Sequence, residues 1–358
     1  MTIRAGVIGL GFMGRRYAET LHQLQGVTLS AVTDTRADVA HDIGARTGAR
    51  VLPDATALAQ SDAVDAVFVC TPEDAHVEPT VAALLAGKHV LVEKPVSHDL
   101  PSAARIRDAA ARVGTTVMVG HLLRFEPRWA AAGRLIADDE IGEVISIATR
   151  RIGSIRDQDV LRGRTTIPLY YGVHDLDIVR WYAGSDPISI QAVRRSGVLR
   201  AAGFDVDDLY CAILRFDDEV LATAELGWHI PASATSAPSS GITVVGTRGW
   251  LRIEQGRTGL EVYAGDASRS RDISIDVSFW PDVHGRPAGA LVNELEHFAD
   301  CIRNARTPIV TLDVGIEALR LSLAMEVAAT SGSTIDLRSF GATELGPVPV
   351  PAAGDREP

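Results

Sequence analysis

Residues 3–14 read IRAGVIGLGFMG, a short apolar run that ends in Gly9-x-Gly11-x-x-Gly14. In that spacing the first glycine makes a tight turn, the second lets a pyrophosphate approach the backbone, and the third lets the following helix pack on the strand. The free N–H groups at the helix start then face the phosphates. Three spaced glycines alone say little. Here they follow a predicted strand, open a predicted helix, and precede Asp34, 20 residues beyond Gly14 at the end of a second predicted strand. A carboxylate at that place suits the two ribose hydroxyls of a dinucleotide. The expected dinucleotide contacts are Gly9, Gly11, Phe12, Met13 and Gly14, joined by Asp34, Thr35 and Arg36. Asp34 repels a 2′-phosphate and so selects NAD(H). Arg36, able to pair with such a phosphate, keeps NADP(H) as the alternative.

Outward from this turn the first third has a regular rhythm. The β-branched runs IRAGVIG, VTLSAVTD, DAVFVCTP, HVLVEKP and TTVMVGH alternate with alanine-rich segments of helical period. Gly87 closes one helix, and a second carries Pro101 in its first turn and Gly114 at its end. Alternating strands and helices imply right-handed crossovers and a parallel sheet buried on both faces, a doubly wound Rossmann domain over 1–124. After about residue 125 the texture changes. EVISIATRRIG, ISIQAVRRSG, DLYCAILRFDDEVLATAELGW, GITVVGTRGWLRIEQG and LEVYAG read as antiparallel strands, with a helix, HDLDIVRWYAG, between the first two. An α+β domain with a large open, mainly antiparallel sheet is expected over 125–340. Two closing helices complete it, a loop is expected at 231–241, and 341–358 reads as a flexible tail.

A net charge of −11 argues against nucleic acid or an anionic membrane as the partner. The composition, 46% hydrophobic and 23% charged, is that of a globular protein. Cys70, Cys211 and Cys301 lie far apart and suit a reducing compartment. No apolar run approaches the roughly 18–20 residues of a membrane span, and the N-terminus lacks a cleavage site. The expected location is cytoplasmic. No histidine or carboxylate cluster has metal-ligand spacing, so no metal site is expected.

Several motifs, in order along the chain, carry a resemblance: GVIGLGFMG, VCTPEDAH, GKHVLVEKPVSHD, GHLLRFEPRW, YGVHDLDIVRW, and ELEHFADCIRN followed by DVGIEALRLSLA. Together they resemble the glucose–fructose oxidoreductase / inositol dehydrogenase (Gfo/Idh/MocA) family over nearly the whole chain. The resemblance implies that Lys94 and His174 flank the nicotinamide. The chemistry asks for such a pair, because a base must take the hydroxyl proton and an ammonium can stabilise developing negative charge. Many family members carry an aspartate four residues before the histidine; Tyr170 stands there, with Tyr171 beside it. A phenol can donate a hydrogen bond but carries no charge at neutral pH. Tyr170 and Tyr171 are thus candidate substrate contacts, with Tyr170 a candidate auxiliary acid.

Thr71 and Pro72 end a strand under the expected nicotinamide, His76 packs near the cofactor, and Glu93 orients Lys94 or touches the ribose. Asp175 and Asp177 read as first-turn carboxylates favoured by the helix dipole, Asp177 being placed to pair with Arg180. Arg150, Arg151, Arg156, Arg162 and Arg164 crowd one stretch of an acidic protein. With Arg124 they are candidates for an anionic substrate group, since arginine forks suit planar oxyanions. The sequence is therefore read as an NAD(H)-dependent oxidoreductase for a sugar, cyclitol or sugar acid. Two alternatives stand beside it: a glycoside-cleaving enzyme that retains NAD, and a dinucleotide-binding sensor. By the same resemblance a homodimer or homotetramer is expected.

Overall fold

The computed structural model describes residues 2–231, 240–255, 263–264, 271–272 and 278–345. Of the expected loop at 231–241, residues 232–239 lie outside them, as do most of LEVYAG and most of the tail, while Ser240 and Gly241 begin a strand. In chain order, β1 (Ile3–Ile8), α1 (Phe12–Gln23), β2 (Val27–Thr33), α2 (Ala37–Thr47), β3 (Arg50–Val51), α3 (Ala55–Ala59), β4 (Ala66–Val69), α4 (Val77–Leu85), β5 (His89–Glu93), α5 (Leu100–Ala110) and β6 (Val117–Gly120) alternate. There follow α6 (Pro127–Ala137), β7 (Val144–Ser154), α7 (Gln158–Leu161), α8 (Val173–Ala183), β8 (Pro187–Arg195), α9 (Val198–Ala201), β9 (Leu209–Phe216), β10 (Leu221–Ile230), β11 (Ser240–Gly246) and β12 (Trp250–Gln255). Two-residue strands β13 (Tyr263–Ala264), β14 (Arg271–Asp272), β15 (Asp282–Val283) and β16 (Arg286–Pro287) precede α10 (Ala290–Asn304), α11 (Leu312–Ser331), β17 (Ile335–Asp336) and α12 (Ala342–Leu345).

The chain packs as two compact units, Met1–Glu126 with Ser278–Leu319, and Pro127–Val277 with Arg320–Pro358. The first break falls beside residue 125, where the texture of the sequence changes. Helix α10, expected in the second domain, packs with the first unit. Phe298 meets Phe68 of β4 edge-on with ring centroids 5.6 Å apart, and Asn293 donates to the Phe125 carbonyl at 3.0 Å.

In the first unit the sheet order is β3-β2-β1-β4-β5-β6, every pair parallel. The order reverses beside β1, and ligands of such sheets bind beyond the carboxyl ends of the strands at that reversal. Strand β4 reads AVFV and is buried throughout, as a central strand covered on both faces must be. Fully burying Val67, Phe68 and Val69 contributes about 1.5–3 kcal/mol each. Asp99 caps α5 through the Ser102 N–H at 2.7 Å, and the helix stops at Ala110, four residues before Gly114.

The second unit holds a seven-stranded sheet, β12-β11-β7-β10-β9-β8-β17. Five of its pairings are antiparallel as expected, but β7 and β10 run parallel. The chain leaves β7 through helices and returns as the β8–β9–β10 meander, so β10 meets β7 with the same direction. Tyr210, Ala212, Leu214 and Phe216 of β9 are buried while Ile213 and Arg215 point out, so one face of the sheet is covered and the other open.

Candidate active site

The first unit brings most of the expected dinucleotide residues to the carboxyl ends of its strands. Gly9 has φ +86°, and a Cβ there would stand 2.8 Å from the Cys70 carbonyl and the Thr71 nitrogen. At Gly14 a Cβ would come within 1.8 Å of the Gly9 oxygen, which is the close helix–strand approach the third glycine permits. No atom lies within 4 Å of the equivalent point at Gly11, the N-cap of α1, and no acidic residue stands in that helix's first turn. The open space and the free N–H groups fit a pyrophosphate.

Asp34 closes β2 beside this turn. Its Oδ2 accepts the Leu10 N–H at 2.6 Å and its Oδ1 accepts the Arg36 N–H at 2.8 Å, with the Arg36 guanidinium 3.2 Å away. Burial works to raise its pKa, but these hydrogen bonds and the guanidinium outweigh it and hold the carboxyl below the usual range. A fixed carboxylate at the strand end suits ribose hydroxyls. Phe12 is exposed and meets Trp280 edge-on at 5.7 Å, with the Arg16 guanidinium 3.7 Å above the Phe12 ring. Trp280 is absent from the expected contacts, because nothing in a distant SFWPD segment marks it for the phosphate turn.

Past β4, Thr71 and Pro72 lead into a short turn, and past β5 come Glu93 and the half-buried Lys94. His76 ties these two loops together. Its Nδ1 lies 2.8 Å from the Pro95 carbonyl and its Nε2 2.9 Å from the Thr71 carbonyl. Burial lowers its pKa, and the two carbonyls work against that. A buried ring in this position sets loop geometry rather than moving protons. Glu93 accepts the Lys94 backbone N–H at 3.1 Å, which fixes where the lysine leaves the strand. His121 and Arg124, from the segment after β6, are both buried.

In the second unit His174 lies in the first turn of α8, directly after a π-helical turn, Pro168–Gly172, that the sequence did not announce. Such wide turns recur at functional sites. Tyr170, Tyr171 and Trp228 form an aromatic triangle with centroids 5.3–5.6 Å apart. Tyr171 donates to Asp157, and burial first, then that carboxylate, raises the phenol pKa well above its ordinary value. Burial likewise raises Asp157, against the bond from Tyr171.

The arginine stretch divides. Arg150 pairs with Glu225 at 2.9 Å, and Arg151 pairs with the buried Asp175, which also accepts from Thr149. These two guanidiniums are committed to structure, so they leave the candidate anion patch. Arg156, Arg162 and Arg164 are exposed. Asp175 is held by this pair as well as by the helix start, and Arg180 engages Asp186. Among the described residues no group of three or more metal-binding side chains occurs, and no helix is long and apolar enough to cross a membrane.

Comparison with known proteins agrees with both halves. The profile described as an oxidoreductase family with an NAD-binding Rossmann fold matches residues 3–121, and its C-terminal alpha/beta counterpart matches 134–337. A scyllo-inositol 2-dehydrogenase (NAD(+)) of Bacillus subtilis is 30% identical over 88% of this chain and 93% of its own. A 2,7-anhydro-N-acetylneuraminate hydratase of Escherichia coli is 29% identical over 72% of this chain and 68% of its own. In fold, the crystal structure of a scyllo-inositol dehydrogenase from Lactobacillus casei with NAD(H) and scyllo-inositol aligns with TM-score 0.80 at 22% identity, covering 95% of this chain and all of that one. The chain belongs to the Gfo/Idh/MocA family of NAD-dependent oxidoreductases.

Proposed function

We propose that the protein interconverts a secondary hydroxyl and a ketone on a sugar, cyclitol or sugar acid, with Lys94 and His174 serving the reacting hydroxyl. NAD, when bound, supplies the hydride acceptor. The chain's own residues handle the proton and the charge. His174 takes the hydroxyl proton, the part of a positioned general base. The Lys94 ammonium stabilises the developing alkoxide and orients the substrate. One observation carries this reading. Lys94 stands half-buried directly after β5, at the carboxyl end of the sheet that bears the glycine turn, with its backbone pinned by Glu93. A surface lysine without function has no need of that anchoring. The inositol dehydrogenase relative supports the substrate class.

A second reading is favoured by the tyrosines. Transient oxidation of a ring hydroxyl acidifies the neighbouring C–H, and elimination then proceeds without net redox change. Tyr170, where a carboxylate is usual, and a relative named as a hydratase both fit such chemistry. Incubation with NAD and a panel of polyols, sugar acids and glycosides separates the two. Net NADH formation supports the dehydrogenase, and product release without net NADH supports the elimination. Inertness toward the whole panel would refute both. We further propose that the open face of the second sheet, where Val193 and Ile213 lie exposed, joins copies of the chain into a homodimer or homotetramer. Light scattering of the Val193→Glu/Ile213→Glu variant tests this, and an unchanged mass refutes it.

A further inference from the structure

Behind Lys94, in the first unit, lies a buried cluster with no place in the reaction just described. Tyr17 from α1, Glu294 from α10, Glu93 at the end of β5 and Cys70 after β4 are all at most 7% exposed. The Tyr17 hydroxyl oxygen is 2.9 Å from Glu294 Oε2, and the phenol stands close enough to Glu93 to act on its carboxyl too. A Cβ added at Gly120 would sit 3.2 Å from that hydroxyl and 3.4 Å from the Glu93 carboxyl carbon, so glycine at 120 leaves room for the meeting. Glu294 Oε1 is buried without a hydrogen-bond partner.

One phenol has one hydrogen. It can donate to a single carboxyl, and the other must bring its own proton or set lone pair against lone pair. An ionised carboxylate cannot leave one oxygen buried and unpaired without a penalty of several kcal/mol, whereas the carbonyl oxygen of a neutral acid can. Burial raises Glu93 as well, but the Lys94 ammonium and the Lys94 N–H that it accepts work against burial there and give Glu93 the stronger claim to the charge. We propose that Glu294 is a neutral carboxylic acid that donates to Tyr17, that Tyr17 donates to the Glu93 carboxylate, and that this chain positions one negative charge behind Lys94. Glu294 and Tyr17 are positioning residues: they reach the substrate only through Glu93 and Lys94. Burial raises Glu294 and Tyr17 well above their ordinary ranges, in keeping with a neutral acid and a neutral phenol. Burial also raises the Cys70 thiol, so Cys70 adds no charge to the cluster.

The role assigned to Lys94 rests on the proposed dehydrogenase reading; the proton chain does not, and the test keeps them apart. Infrared difference spectra of the full chain against Glu294→Gln, near neutral pH, should show the carbonyl stretch of a protonated acid that shifts in D2O and is lost in the variant. Absence of that band overturns the proposal, whatever substrate the protein uses. Lys88 and Lys94 are the only lysines of the sequence, so lysine-labelled protein gives two side-chain resonances, assigned with Lys88→Arg. In Tyr17→Phe, Glu93 loses its donor, takes up a proton more readily and withdraws charge from Lys94. The acid-range midpoint at which the Lys94 resonance registers Glu93 protonation should rise by about half a unit or more, the effect of losing a hydrogen bond to the charged form. Glu294→Leu should do the same, and Glu294→Gln, whose amide also donates to Tyr17, should restore the parent midpoint. A midpoint unmoved in Tyr17→Phe, or moved as far by Glu294→Gln as by Glu294→Leu, refutes the arrangement.

Discussion

A neutral buried acid leaves a thermodynamic signature that Glu294→Gln should remove. The folded-state pKa of Glu294 is raised by burial, with the nearby Glu93 carboxylate adding to it. A group raised in this way favours folding fully below its unfolded pKa, about 4.3 for glutamate, and loses that contribution as pH climbs toward the folded value. In that window the unfolded chain has released the proton and the folded chain has kept it. Stability therefore falls by about 1.4 kcal/mol per pH unit for this single group. Glutamine binds no proton in either state and contributes no slope. From pH 5 upward the variant should gain on the parent by about 1.4 kcal/mol for each unit until the folded value is reached, a large step against the roughly 5–15 kcal/mol that holds a native protein. Groups common to both proteins cancel in the difference. Parallel melting curves at half-unit pH steps measure it: the two should nearly coincide at pH 5 and separate steadily above. A constant offset across the range would show that Glu294 binds the same number of protons folded and unfolded. A gap that opens in the parent's favour would show a carboxylate stabilised by its ionisation. Either result ends the neutral-acid account.

Replacing Asp34 with alanine should narrow a preference for NAD(H) over NADP(H) that is several-fold in the parent, read by titrating both dinucleotides; an unmodified protein that binds NADP(H) equally well would mean that Arg36 dominates. Lys94→Ala and His174→Ala should each lower turnover at least about a hundredfold, the scale of a positioned acid or base, with dinucleotide affinity little changed. Near-normal turnover of the His174 variant would transfer the base to Tyr170 or Tyr171. Substituting Arg162 and Arg164 together by alanine should erase any preference of kcat/KM for sugar acids over neutral sugars, and salt should weaken that preference in the parent, because exposed pairs are screened over about 10 Å at 0.1 M. Neutral polyols preferred by both proteins would refute the anion patch.

The Rossmann unit was readable because its constraints are local. Glycine spacing, strand–helix alternation and the carboxylate after β2 each leave a mark within some 35 residues. What escaped is long-range or two-residue in scale. Edge strand β3 is two residues long and carries no period. The parallel pairing of β7 with β10 depends on how a helical excursion returns the chain, which no strand pattern records. The assignment of α10 to the first unit rests on Phe298 and Glu294 meeting residues more than 200 positions earlier. In sequence, Glu294 looks like any acidic residue of an amphipathic helix, and only its lack of exposure sets it apart. Composition likewise counts Arg150 and Arg151 as free charge, while Glu225 and Asp175, distant in sequence, pair with them.

The same logic bears on the departure at residue 170. Where many relatives place a carboxylate, this chain has a phenol packed against Tyr171 and Trp228, and the Asp157 carboxylate accepts from Tyr171. Position 170 therefore brings no negative charge to the start of α8. The role proposed for His174, proton abstraction, serves a hydroxyl and an acidified C–H alike. What distinguishes the two reactions is the return of a proton to a leaving group, which a dehydrogenase does not need and an eliminating enzyme does. That step needs a proton donor, and Tyr170 is one where an ionised aspartate would not be. Tyr170→Phe consequently discriminates between the readings: it should leave net NADH formation largely intact if the enzyme is a dehydrogenase, and should cut product release without NADH if it is not.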